Sequence, residues 1–341
     1  MLRSTSVKNE LWKPVKLLAR QTLDGKVIDS SCSSNGDLVA VLTDSNVSIF
    51  SNRELVEKLD LNSGKTVHVS KDANSIFVLT SEKLFCYNNW GKIKWESNEV
   101  DDSSNFSASK SGEFIIVSNK RNLQILDRFG DLMSEIALDS DILSISQSGK
   151  NIVALTANTI NIFQNPNEIN KVVAKNYTNI FCSEDSIMAT SEEKLTSFSY
   201  SGSQLWSKEF DVKNFNFSNQ GIMHIFIQDS KNLVSQDRNG DLLWEYHSRE
   251  NFDGAKVLDS GHMIGIFSNQ AFHVVDNTGQ QAWSYQAREK IVNFSFSNHG
   301  GDIIIASESK MHWFQNEGFL RLQIQDALAE VENLFEKVSV Y

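Results

Sequence analysis

A glycine followed four residues later by tryptophan recurs along the chain, at Gly91 and Trp95, Gly202 and Trp206, Gly240 and Trp244, and Gly279 and Trp283. Gly130 and Gly318 hold the same place without the tryptophan. Successive glycines lie 39, 72, 38, 39 and 39 residues apart, and 72 is two periods of 36. The skipped unit falls at Asn165, Pro166 and Asn167, a turn-forming cluster. A second mark runs out of phase with the first. A short run ending in serine precedes a turn at Gly36, Asn74, Gly112, Gly149, Asp185, Gly221, Gly261 and Gly300, with gaps of 38, 38, 37, 36, 36, 40 and 39. Two independent series with one period define eight units, and a period of roughly 20–50 residues is the mark of solenoids, propellers or arrays.

Each unit reads as strand, turn, strand, link, strand, glycine turn, strand. In the third unit, residues 105–109, 114–118, 123–126 and 132–138 are short runs rich in Ile, Leu, Phe and Ser, bounded by turn formers. The second run of each unit is almost continuously apolar (38–42, 76–79, 152–155, 303–306), which implies burial on both faces. Four-stranded units sandwiched between neighbours and arranged radially make a propeller. The expectation is an all-β fold, a single eight-bladed propeller of four-stranded blades over residues 9–322. It is preceded by a tail, 1–8, and followed by a C-terminal helix, 323–341. Closure is legible too. Residues 20–30 (RQTLDGKVIDS) match residues 249–260 (RENFDGAKVLDS), which follow the Trp244 strand. The chain therefore opens on an orphan fourth strand, 9–20, able to complete the last blade and leave no free edge. The alternative eighth outer strand is 319–324.

The form of residues 237–244 (DRNGDLLW) and 276–283 (DNTGQQAW) resembles the tryptophan repeat of PQQ-like propellers, those related to quinoprotein alcohol dehydrogenases. Residues 292–300 (VNFSFSNHG) are similar to WD-type repeats. The resemblance spans about residues 9–318 and implies the fold, which hosts many unrelated functions. The vicinal cysteines of the quinone-dependent members are absent, as are the Gly-His and Trp-Asp pairs of WD repeats. The resemblance therefore carries no cofactor, and none is expected.

A formal net charge of −11 provides no electrostatic footprint for nucleic acid or for an anionic membrane surface. No apolar stretch approaches the length of a membrane span. The three cysteines, Cys32, Cys86 and Cys182, are odd in number and far apart, as expected of buried thiols in a reducing compartment, so the cytoplasm is the expected location.

No nucleophile elbow, phosphate loop or dinucleotide fingerprint occurs, and the seven histidines form no metal-ligand spacing. The repeated Trp residues are expected to pack between blades. Two features point to partners. The glycine turns of units two and three carry Trp90 and Phe129 at one position, and unit five has Tyr200 one residue earlier. Aromatic tips on adjacent blades would form a contact patch. In the tail, Ile324, Leu328, Val331, Phe335 and Val338 recur at steps of 4, 3, 4 and 3, an apolar helical stripe for self-association, a partner groove or the propeller itself. The expected function is a non-catalytic protein-interaction scaffold. The alternative is a small-ligand binder or enzyme using the central channel, whose first strands carry Ser103, Asn105, Ser144, Ser146, Asn214, Asn216, Asn293 and Ser295.

Overall fold

The computed structural model describes residues 15–318, apart from 120–121, 139, 141, 147, 166–167, 174–175, 192, 210–211, 213, 219–222 and 299. The tail residues 323–341 named above lie outside the described residues, as do 1–14.

The described chain forms eight antiparallel sheets of four strands each. Blade 1 runs Val27–Cys32, Leu38–Thr43, Asn46–Ser51 and Glu54–Asp60. Blades 2 to 7 repeat that order, opening on Gly64–Val69, Asn105–Ala108, Ile142–Ile145, Asn179–Cys182, Phe215–Phe217 and Gly254–Val257. Blade 8 takes Ile291–Phe296, Asp302–Ser307 and Lys310–Asn316 from the end of the chain. Its fourth strand is Val15–Thr22, antiparallel to the third from Val15 opposite Asn316 to Thr22 opposite Lys310.

Burial follows position in the blade. Second strands such as Leu38–Thr43, Ile76–Thr80 and Met263–Ser268 are buried at every residue, because a neighbouring blade covers each face. One such layer packs Leu42 and Ile49 of blade 1 against Val67 and Val78 of blade 2. Fourth strands form the rim and alternate between exposed and half-buried, as in Leu242–His247.

The turn between first and second strands needs a left-handed residue three places after its serine, whose carbonyl accepts that residue's amide (Gly36 to Ser33, Gly112 to Ser109, Gly149 to Ser146). In blade 2 that residue is Ala73, φ 59°, bonded to Ser70. The mark read at Asn74 is thus one place late: the turn is counted from the serine, and an alanine is strained into the glycine position. Blade 5 turns earlier, Ser183 pairing with Ser186 around Asp185.

Three histidines, His224 and His312 buried and His68 half-buried, set a pH dependence. His68, His224 and His312 are each pushed down to about 4, in every case chiefly by burial. In the fold they stay neutral down to about pH 4, whereas in the unfolded chain they take up protons near the ordinary 6.5. Stability is therefore fully present above 6.5 and is lost as pH falls towards 4, because the unfolded chain binds more protons in that window. The melting temperature should drop steeply over this interval, and His224→Phe, placed among Phe215 and Trp206, should flatten the drop. A profile unchanged from pH 7 to 4.5 would refute it.

Candidate functional site

The turn between third and fourth strands is built on one side chain. In blade 3, Asp127 Oδ1 accepts the amides of Phe129 and Asp131 at 2.8 and 3.0 Å, and the Gly130 amide bonds the Asp127 carbonyl. Asn88, Asp237 and Asp276 do the same in blades 2, 6 and 7. Arg128 in this turn reaches Asp72 in the first turn of blade 2 at 3.8 Å, and Arg238 reaches Asp185 at 3.5 Å, so both turn series lie on one face of the disc.

The glycine at each turn is fixed by the preceding blade. A Cβ on Gly130 would lie 2.7 Å from Trp95 Cδ2, and Gly240 and Gly279 rest on Trp206 and Trp244 in the same way. Each indole donates Nε1–H to the carbonyl two residues before that glycine: Trp95 to Arg128 at 3.0 Å, Trp206 to Arg238 at 2.9 Å, Trp244 to Asn277 at 3.0 Å. A bulge just before each Trp, at Lys94, Leu205 and Leu243, turns the indole towards the next blade. Trp283, the last of the series, packs edge-on to Phe314 of blade 8 at 5.0 Å. Gly91 takes Glu57 of blade 1 in place of a Trp, and Gly202 takes Val172 of blade 4.

On this face Trp90 is 61% exposed and Phe129 67% exposed, at the same turn position of adjacent blades. The Arg128 guanidinium lies 6.0 Å from the Phe129 ring centroid. Tyr200 does not join them. It is buried, and its hydroxyl donates to the Ser183 carbonyl. Ile324, Leu328, Val331 and Phe335 lie outside the described residues. Exposed Leu55, Ile93, Leu132, Leu205 and Leu242 form a belt on the rim strands that the sequence reading did not single out.

The first strands surround the axis, and most of their polar side chains are engaged by the next blade. Asp29 Oδ2 accepts Val67 N–H at 3.1 Å, Ser31 Oγ accepts Val69 N–H at 2.9 Å, Ser144 Oγ accepts Cys182 N–H at 2.9 Å, and Asn216 Oδ1 accepts Val257 N–H at 3.0 Å. Asn293 Nδ2 donates to Asp29 Oδ1 at 2.8 Å. Adjacent inner strands share no ladder, so these bonds satisfy backbone donors that would otherwise be buried unpaired.

Within this ring lies a cavity of about 410 Å³, with a vestibule of about 180 Å³. His68, Lys110, Lys256 and Asp259 line both. Asp259, in the first turn of blade 7, crosses the axis to Lys71 at 2.8 Å and to Lys110, in the corresponding turns of blades 2 and 3. Burial, partly offset by Asp259, brings the Lys110 ammonium down to about 8. Against the upward push of burial, Lys110 and Lys71 hold the Asp259 carboxyl below its ordinary value. Burial raises Cys32 and Cys182 to about 12, and both are free thiols. Among the described residues no three His, Cys, Asp or Glu side chains converge as a metal site, and no helix is long and apolar enough to cross a membrane.

No known protein family's profile matches the chain, and no curated protein matches it. Solved structures do. BamB from Moraxella catarrhalis aligns with a TM-score of 0.66 at 14% identity, over 89% of this chain and 100% of that one. The C-terminal WD40 domain of Sif2 aligns at 0.72 and 13%, over 88% and 98%. Chaetomium thermophilum Sqt1, solved bound to the N-terminus of the ribosomal protein L10, aligns at 0.69 and 10%, over 85% and 97%. At these identities the likeness shows the fold alone, a β-propeller, here of eight four-stranded blades.

Proposed function

We propose that this chain is a non-catalytic, cytoplasmic interaction platform that holds a protein partner on its turn face, with Trp90 and Phe129 as anchors. The observation that carries the reading is the pair of large aromatics, each more than half exposed, on backbone turns fixed by Asn88 and Asp127. Rigid aromatic side chains beside an arginine are the residues that concentrate binding energy at interfaces. Sqt1, similar in fold and solved bound to the N-terminus of the ribosomal protein L10, supports the reading. The Ser and Asn side chains of the inner strands support the non-catalytic part, since several of them already serve the neighbouring blade.

Photo-crosslinking tests the face. Benzoylphenylalanine in place of Trp90 or Phe129 should trap a discrete adduct in cells. The same group at Asn239 or Thr278, the matching positions of blades 6 and 7, should not. Trp90→Ser with Phe129→Ser should abolish co-purification of the protein trapped in those adducts, while changing stability by no more than about 0.5 kcal/mol, as for other exposed sites. Identical adduct patterns at all four positions would sink the assignment.

A further inference from the structure

The charged cluster on the axis is not explained by partner binding on the turn face. In a chain of net charge −11, the vestibule is lined by Lys71, Lys110 and Lys256 and a single carboxylate, Asp259, which pairs with the first two, while Lys256 Nζ donates to the Phe294 carbonyl at 2.9 Å and to Asn293 Oδ1. Four acidic or basic residues stand immediately after the turn serine or its equivalent: Lys71, Lys110, Glu184 and Asp259. Glu184 is turned away, bonded to the amide and hydroxyl of Ser148 at 2.7 Å each. Asp29, whose charge acts on Lys256, accepts from Thr66, Val67 and Asn293. The mouth is tied by backbone hydrogen bonds passing from blade to blade, with Asn298 N–H on Ser34 O, Ser34 N–H on Lys71 O and Lys71 N–H on Lys110 O. Lys71 and Lys110 are thereby held on a fixed ring rather than on free loops. His68 lines the same space and keeps a buried Nε2 with no hydrogen-bond partner among the described residues.

We propose that the axial cavity binds a small doubly charged oxyanion, a tetrahedral sulfate or phosphate group or a short dicarboxylate, between Lys71, Lys110 and Lys256, with Asp259 as the internal group it displaces. Lys110 and Lys256 line the cavity of about 410 Å³, within the range of small-ligand sites, about 300–1,000 Å³, and Lys71 stands in the adjoining vestibule of about 180 Å³. Ammonium donors in a partly dry space give short, charge-assisted bonds to such an anion. Asp259 spans the axis to two of the three lysines, so in the empty ring a carboxylate of the protein already occupies the place of the ligand.

Calorimetry on the full chain tests this with sulfate and succinate titrated separately at pH 7. One saturable site per chain is expected for at least one of them, and the arm that responds distinguishes tetrahedral from dicarboxylate ligands. Lys110→Met should weaken that site roughly tenfold or more, the loss expected for one charge-assisted contact. Asp259→Asn should tighten it, and the anion should restore the melting temperature that this variant loses. Lys208→Met, on the rim, should do neither. Sulfate keeps its charge across pH 6–10, so affinity falling as pH rises through about 8 would report Lys110, which faces Lys71, Lys256, Asp259 and His68. Absence of saturable binding by either anion, or equal affinity in the wild type, Lys110→Met and Asp259→Asn, overturns the proposal. A folded Asp259→Asn protein that binds no anion overturns it even if Lys110→Met fails to fold.

Discussion

A chain starting at Leu23 should not yield a stable monomer. Removing Val15–Thr22 leaves blade 8 with three strands and strips seven cross-strand pairs from Lys310–Asn316. At about 1 kcal/mol per backbone hydrogen bond, the ladder alone is worth several kcal/mol, against a whole-protein stability of about 5–15 kcal/mol. The loss is compounded by packing. Ala19 covers Trp313 and Met311, Val15 covers Phe314, and Arg20 bonds His312 at 3.3 Å. The third strand also becomes an open edge, a template for pairing between chains. Light scattering should therefore show aggregates, and circular dichroism a broad or absent melting transition. A synthetic peptide of residues 9–24 added in trans should recover part of both. A monomeric truncated chain melting within about 5 °C of the full one, a cost of a couple of kcal/mol or less, would mean that the ring does not depend on this strand.

Gly130→Ala should cost about 2–5 kcal/mol, from two separable causes. Its backbone sits at φ +84°, where a side chain costs about 1–2 kcal/mol. The new methyl would also stand 2.7 Å from the Trp95 indole, adding an overpacking cost of about 1–3 kcal/mol. A double-mutant cycle separates them. In a Trp95→Ala background only the backbone part should remain, so the two substitutions should be strongly non-additive. Denaturant midpoints at constant slope are the measurement. Additive costs would mean that the indole yields to the methyl and that the two blades are not locked through this pair.

The ring was legible because one of its two marks is a packing pair. Trp95, Trp206 and Trp244 each seat the glycine turn of the following blade, so one period fixes both residues. The continuous apolar second strands, Leu38–Thr43 for example, were readable because burial on two faces suppresses alternation. Less legible was the use of polar residues. Ser144, Asn216 and Asn293 read as a ligand lining, yet they bond the neighbouring inner strand, a need invisible in sequence because it lies between blades. The axial charges were missed for the opposite reason. Lys71, Lys110 and Asp259 each sit in a turn, where charge ordinarily means solvent, and they meet across 149 and 188 residues of chain. Aligning the turns on their serines, with Leu258 in the serine's place in blade 7, would have placed all three at one position facing the axis. Trp90 and Phe129 were visible as turn tips. The inward fold of Tyr200 was not, since its neighbours in sequence are the same small polar residues.

The pairing of Val15 with Asn316 also has a meaning in time. A ribosome adding roughly 5–20 residues per second takes about 15–60 seconds to travel from the first of these to the second. Throughout that interval Val15–Thr22 waits, its partner not yet written, while the intervening blades gather between them. Closing the ring thus joins two strands made far apart in time, and a cell must keep the waiting strand from other company until Lys310–Asn316 has been made.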